Sequence, residues 1–414
     1  MITYCTNIHP GESWGEVFAA LRQHIPVVKA AFSPDAAFPI GLRLAERAAR
    51  ELDAARNREF TDWLRANDCF VPTLNGFPYG AFHGGRVKEN VYLPDWRAPE
   101  RAAYTLRLTD LLAGWLPEGM AGSISSVPLG FKGVVGWDDL PAFRVQLESV
   151  LRHLAEIHDR QGRKILLALE PEPGCLLETT DEACRFFAEL DLSEELTAFL
   201  GLCYDACHQA VEFEDPADSL RRLDQAGIPI AKVQVSSALR VAGEGREHLR
   251  RFDEPCYLHQ VVVRNRDGNL DRYADLGQAL AREEIGGGVG EEWRCHFHVP
   301  IFLAGTPDHG TTQSFLIDLL PLLPADILLE VETYTWDVLP PELRLDSVTD
   351  SIVRELEWLA AIRGTSLSLP ASPVCGGGEH LLPAGGEHTE GHQGRGWEGS
   401  GLSFVTPGKG QRRA

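Results

Sequence analysis

The stretch RCHFHVPIF (residues 294–302) alternates polar and apolar side chains with the period of a β-strand. His296 and His298 fall on one face, Phe297 on the other. Two imidazoles so placed are either metal ligands at the mouth of a barrel or polar groups satisfied in an interior. Upstream, AKVQV (231–235) is another strand pattern. The two segments compete for one position in a series of parallel strands, and that competition decides the architecture.

The series is a βα rhythm that runs from the start of the chain to about residue 365. Candidate strands are 2–6, 38–42, 69–74, 123–127, 165–169, 200–204, 231–235, 294–299 and 327–331. Helical patterns lie between them. The segment 138–158 (DDLPAFRVQLESVLRHLAEIH) has apolar residues at three- and four-residue steps, an Asp-Asp start and an early proline. Segments 101–115 and 347–362 read the same way. Nine strands are one more than a (β/α)8 TIM barrel needs. Residues 231–235 and 294–299 therefore remain rivals for the seventh strand. Residues of about 238–292 read as a rim insertion, in which LHQVVVRNRDGNLDRYADL forms a β-hairpin turning at Asp267-Gly268. The alternative, an open doubly wound sheet, calls for a glycine-rich phosphate turn after an early strand, which the sequence does not have. Residues 366–414 are rich in Gly, Glu, His and Ser without periodicity and are expected to be a disordered tail. Its His380, His388 and His392 read as solvated side chains.

Composition narrows the function. Hydrophobic residues are 44% of the chain, as in an ordinary soluble protein, and no apolar run reaches the length of a membrane span. The N-terminus, MITYCTNIHPGESW, has no basic segment followed by an apolar one, so no secretory signal is expected and the location reads as cytoplasmic. A net charge of -21 opposes nucleic-acid binding, which needs Lys and Arg to neutralise phosphates. The nine cysteines are scattered, and Cys203 and Cys207 lack the C-x-x-C spacing. They read as buried thiols in a reducing compartment.

In a βα barrel the active-site groups sit where strands end and βα loops begin. The candidate strand ends are rich in metal-ligand types. They include Asn7 and His9 (YCTNIHPG), Asn75 followed by a loop with His83, Lys88 and Asp95, then Glu170 and Glu172 (LALEPEPG). Asp205 and His208 (LCYDACH), Gln234, His296, His298, Glu330 and Glu332 (LLEVETYTW) complete the set. Asp205 also suits an N-cap. Glu170 and Glu332 follow apolar runs, and a carboxylate there needs a cation or strong hydrogen bonds. Carboxylates with imidazole suit Mn²⁺, Mg²⁺, Co²⁺ or Zn²⁺.

These strand ends resemble the xylose isomerase-like superfamily of TIM barrels. Its epimerases commonly bind a divalent metal through Glu, Asp, His and Glu from successive strands. The resemblance implies metal ligands at Glu170, Asp205, His298 and Glu332, with His208 on the substrate side. Gln234, Glu172 and His296 are the alternates, Gln234 because it ends the competing seventh strand. The segments YCTNIHPGESW, FPIGLRLA, NGFPYGAFHG with VYLPDW, SSVPLGFK and LEVETYTWDVLP further resemble the EboE family of metabolite traffic proteins, up to about residue 363. That family implies processing or export of a precursor metabolite alongside other Ebo-cluster proteins, and it supplies no reaction.

Three functions are open. The first is a metal-dependent sugar isomerase or epimerase. Glu170 and Glu332 would move the proton, His9, Asn75, Lys88 and His208 would orient the substrate, and Phe77, Tyr79 and Trp336 would exclude water. The second is a barrel that binds and hands on a metabolite without chemistry, favoured if Gln234 occupies a ligand position. The third, opposed by the charge, is a phosphodiester hydrolase of the endonuclease IV kind.

Overall fold

The computed structural model describes residues 1–281 and 291–364; the tail expected at 366–414 and residues 282–290 of the rim insertion lie outside the described residues. The barrel strands are β1 (Ile2–Tyr4), β2 (Phe38–Arg43), β3 (Cys69–Asn75), β4 (Ala121–Ser126), β5 (Lys164–Leu169), β6 (Leu200–Asp205) and β7 (Ile230–Val235). The rim adds β8 (Ser237–Ala242), β9 (Val261–Arg264), β10 (Leu270–Tyr273), β11 (Glu292–Val299) and β12 (Gly310–Thr311), and β13 (Leu329–Val331) returns to the barrel.

Strands β1 to β7 and β13 make one eight-stranded parallel sheet in the order β1-β13-β7-β6-β5-β4-β3-β2. The seam between β1 and β2 closes through a parallel bridge, Cys5 to Gly41. Side chains complete it: Thr3 Oγ1 donates to Pro39 O at 2.6 Å, and Arg43 N donates to Thr6 Oγ1 at 2.9 Å. The result is a (β/α)8 barrel. Its strands are buried nearly throughout, which is why they read as apolar runs rather than alternations. The helix Leu140–Gln161 buries Phe143, Leu147, Val150, Leu151, Leu154 and Ile157 on one face and stops at Gly162, whose φ of 67° suits glycine.

The seventh strand is 230–235, not 294–299. β11 instead lies in a five-stranded antiparallel sheet of order β10-β9-β11-β8-β12. Periodicity could not separate the two, because both segments are strands with buried faces. What differs is the connection. The chain passes from β7 to β8 through Ser236 with no intervening helix; among the described residues only a 3-10 helix (Gly243–Phe252) and a short α-helix (Leu276–Leu280) lie within the rim, and the helix Gln313–Leu319 follows β12. The rim sheet is thus the βα loop of the seventh repeat, expanded. It runs from 237 to 311, wider than the 238–292 expected from sequence. The hairpin of β9 and β10 does turn at Asp267-Gly268, where Gly268 has φ 83°. The rim has its own core, including Leu239, Phe252, Val261, Trp293 and Phe297.

The barrel interior holds a polar layer one step beneath its mouth. Lys232 Nζ donates to Glu330 Oε2 at 2.5 Å and to Asn75 Oδ1 at 2.6 Å, and Asn75 Nδ2 donates to Glu330 Oε1 at 2.8 Å. Gly41 leaves room for it: a Cβ there would sit 1.8 Å from Glu330 Oε1. The eight described cysteines are all free thiols. No helix among the described residues is long and apolar enough to cross a membrane.

Candidate metal centre at the barrel mouth

Three carboxylates arrive on barrel strands. Glu170 directly follows β5, and its N–H donates to Ser126 O at 3.1 Å. Asp205 ends β6, and Glu332 directly follows β13. One oxygen from each lies within 4.8 Å of the others. The cap reading of Asp205 holds for one oxygen. Its Oδ1 caps the helix Ala206–Val211, accepting from His208 N at 2.9 Å and from Ser236 Oγ at 2.8 Å. Its Oδ2 is buried and has no hydrogen-bond partner. Glu332 Oε1 accepts from Asn7 Nδ2 at 2.7 Å.

Three imidazoles meet these acids. His208 comes from the short helix after β6, whereas His296 and His298 come from the rim strand β11. Between Cys295 and Val299 the register of β11 against β8 shifts by two residues, a bulge that re-aims the pair toward the barrel. Phe297 points the other way, into the rim core against Phe252. His208 Nε2 lies 3.1 Å from His296 Nε2, and His296 Nε2 lies 3.1 Å from His298 Nε2.

Each Nδ1 faces an acceptor: Pro171 O for His208 at 2.9 Å, Gln260 Oε1 for His296 at 2.7 Å and Glu332 O for His298 at 2.7 Å. The Gln260 amide is oriented by its nitrogen, which donates to Tyr92 OH at 2.6 Å and Pro173 O at 2.8 Å. Every Nδ1 therefore carries a proton, and each neutral ring turns an Nε2 lone pair toward the others. Lone pairs at this distance repel unless something positive lies between them. A proton on His208 relieves one contact only. Burial works against that proton, but Asp205, Glu172 and Glu170 outweigh it and raise the His208 pKa. The other contact stays unrelieved, because burial, then His208 and His298, push His296 well below its ordinary value. Burial likewise lowers His298 to about 4, against an upward pull from Asp205. A cation relieves both contacts.

The acids make the same demand. Burial, then the Asp205 charge, raises Glu170 to about 7. Burial, then Glu170 and Asp205, holds Glu332 well above its usual range, and burial raises Glu172. Glu172 Oε1 accepts from Tyr92 OH at 2.8 Å, while its Oε2 is buried without a partner. Ligand atoms of Asp205, His208 and His298 lie within 4.8 Å of one another, as do those of Glu172, His208 and His296. A donor set of imidazoles with carboxylates at hand fits a divalent cation.

The structure brings Glu170, Asp205, His298 and Glu332 together with His208 and the alternates Glu172 and His296. Gln234 is not among them: its amide sits 3.0 Å from Asn75 Oδ1, in the layer below. Asn75 belongs to that layer too and does not reach the mouth. His9 is turned away between the barrel and the helix Trp14–Phe32, 3.0 Å from Tyr4 OH and stacked on His24. Trp336 packs on the barrel core, and Tyr334, two residues earlier, faces the site instead. Lys88 does line the pocket, but its Nζ is held by Asp275 Oδ2 at 2.6 Å and Glu254 O at 3.2 Å. Asp95 pairs with Arg97 rather than Lys88. Gln260, Tyr92, Tyr257 and Tyr334 are site residues that the sequence reading missed. Gln260 gains its role only by antiparallel pairing, since His296 N donates to Gln260 O at 2.8 Å.

Above these groups opens a pocket of about 540 Å³, part of it continuous with solvent. Its floor is Asn7, Glu170, Glu172, His208, His296, His298 and Glu332, and its walls are largely apolar and aromatic.

No family profile and no curated protein matches the chain. Among solved structures it is similar to a xylose isomerase-like TIM barrel protein from Mycobacterium smegmatis in complex with magnesium, at 13% identity over 87% of this chain and 96% of that one, TM-score 0.48. It is also similar to the probable 3-DHS dehydratase AsbF of petrobactin synthesis from Bacillus anthracis, at 14% identity over 87% and 98%, TM-score 0.45. A third is the IOLI protein with a binding zinc atom, at 12% identity over 89% and 99%, TM-score 0.46.

Proposed function

We propose that this barrel is a metal-dependent isomerase- or epimerase-like protein acting on a small metabolite with a hydroxyl beside a carbonyl. The observation that carries the reading is the set of three buried imidazoles whose Nδ1 partners aim their Nε2 lone pairs at one another. His208, His296, His298 and Asp205 would hold the ion, with Glu170 and Glu332 next to it and Glu172 beside His208 and His296. A bound divalent cation supplies Lewis-acid polarisation of a substrate carbonyl. Glu170, buried at the mouth beside the ion, would be placed to take a proton from the neighbouring carbon. Glu332, steadied by Asn7, would hold the proton for return. The aromatic walls would keep water from competing for it.

The non-catalytic reading loses its main support, because Gln234 sits in the layer below the ligands. The hydrolase reading gains imidazoles but still meets a net charge of -21. A role in Ebo-type metabolite processing, with other Ebo proteins as partners and a cytoplasmic location, rests on the sequence motifs alone.

The test is elemental analysis of the purified protein after zinc or manganese loading and dialysis, with Glu332→Gln and His298→Ala in parallel. One tightly held ion in the wild type, reduced in His298→Ala, is the expected outcome. A wild-type protein that retains no ion after loading would refute the metal site. A retained ion without turnover of a panel of hydroxycarbonyl compounds, covering ketoses, aldoses and ring-bearing hydroxyketones, would refute the isomerase reading while leaving the site.

A further inference from the structure

The walls of the pocket speak to its ligand, on the premise that the floor holds a metal. Phe82, Tyr257 and Tyr334 form a closed group of rings, with centroids 5.1 Å apart for Phe82–Tyr257, 5.1 Å for Phe82–Tyr334 and 5.2 Å for Tyr257–Tyr334. Phe77, Val87 and Leu258 continue this surface. Apart from the Tyr334 hydroxyl, the described polar side chains of the pocket are at the floor or already committed. Asn7 Nδ2 is on Glu332, Tyr92 OH is between Glu172 and Gln260, and Tyr257 OH is 3.3 Å from His83 Nδ1. Among the described residues lining the pocket, Lys88 is the lysine or arginine present, and Asp275 neutralises it.

We infer that the ligand is an uncharged molecule with a ring or similar apolar body and two adjacent oxygens at one end, not a sugar phosphate or an open polyol. A polyol would bring several hydroxyls against walls that offer them little beyond the Tyr334 hydroxyl, and each buried hydroxyl left unpaired is costly. With the ion taken up by the two oxygens, a phosphate on the body of the ligand would lie along walls whose lysine, Lys88, is already paired with Asp275, above a floor of carboxylates. A ring laid on the Phe82–Tyr257–Tyr334 face buries apolar surface on both partners and leaves its oxygens for the floor.

Three hydroxamates test this, because they share one metal-binding head and differ in the body. Acetohydroxamate has almost none, benzohydroxamate has a ring, and threonohydroxamate has a polyol chain. Affinities are measured by calorimetry on zinc-loaded protein, with metal content checked after each titration. Benzohydroxamate is expected to bind about 10- to 100-fold tighter than acetohydroxamate, the range that burial of one phenyl ring gives, and tighter than threonohydroxamate. Phe82→Ala and Tyr257→Ala should remove about tenfold of that preference with metal content unchanged. The half-buried Phe77→Ala serves the same purpose if the other two fail to fold. Threonohydroxamate binding as tightly as benzohydroxamate would overturn the inference. So would wall variants that keep the metal and the full ring preference. A wild-type protein that retains no zinc before any probe is added fails at the metal site itself, a separate result.

Discussion

Replacing Gln260 with leucine should weaken zinc binding by about 10- to 100-fold, although Gln260 touches no ion. Its Oε1 accepts the Nδ1 proton of His296 at 2.7 Å, and its nitrogen is anchored on Tyr92 and Pro173. Leucine keeps the bulk and the burial but offers no acceptor. The nearest other acceptor for that proton, Glu172 Oε1, is 3.8 Å from Nδ1, too far to take over. His296 is then free to carry its proton on Nε2, the tautomer that cannot ligate. Loss of such an outer contact generally costs 10- to 100-fold in metal affinity, or about 1.4 to 2.7 kcal/mol. The assay is competition with a chromophoric chelator on dialysed protein, with thermal melts of the apo forms to confirm that both fold. Gln260→Glu, which restores an acceptor at the same place, should keep the affinity. If Gln260→Leu binds zinc as the wild type does while His298→Ala does not, the Nδ1 contact does not set the tautomer and the lone-pair argument falls.

Three further outcomes follow from groups away from the ion. Glu355 is buried between Thr333 Oγ1 and Ile301 N, and burial raises its carboxyl from 4.5 to about 7 in spite of those bonds. A raised folded-state value favours the protonated form, so its contribution is fully present below about pH 4.5 and is lost as pH rises through 7. That amounts to about 3 kcal/mol, and Glu355→Gln should gain stability over the wild type between pH 5 and 8; parallel melting curves would contradict it. Lys232→Met leaves the Glu330 charge buried alone and should cost about 3 to 5 kcal/mol, whereas adding Glu330→Gln should recover most of it in urea unfolding. Gly41→Ala would press a methyl to 2.7 Å from Tyr4 O, a backbone atom that cannot step aside, and to 1.8 Å from Glu330 Oε1. A loss of about 1 to 3 kcal/mol is expected, and an unchanged urea midpoint would count against the close approach.

Much of the barrel was legible because βα repeats leave a strong local signature. All nine candidate strands form strands, and ILLAL and LLEVE place Glu170 and Glu332 at the mouth. The identity of the seventh strand was not legible. The residues of 231–235 and 294–299 look alike locally, and the difference lies in which neighbours they pair with, parallel for one and antiparallel for the other. His298 reaches the site from a rim strand, not from the barrel strand that the resemblance implies for the metal histidine. The same blindness explains His9 and Asn75: both follow strand ends, but the end of a strand fixes height along the barrel and not the direction of a side chain. Gln260 left no trace in the sequence, because its only connection to His296 is across a sheet.

The division of the proposed ligand set between two sheets would have a consequence for how the molecule holds together. Asp205 and His208 belong to the barrel, and His296 and His298 to a sheet with a core of its own. An ion held by both is a clasp. Its binding free energy, about 2.7 kcal/mol at a hundredfold excess over Kd, is spent where the two sheets meet rather than spread over the fold. Removing the ion should then loosen the rim against the barrel well before either sheet melts. Susceptibility to a protease at the rim would thereby report on metal occupancy.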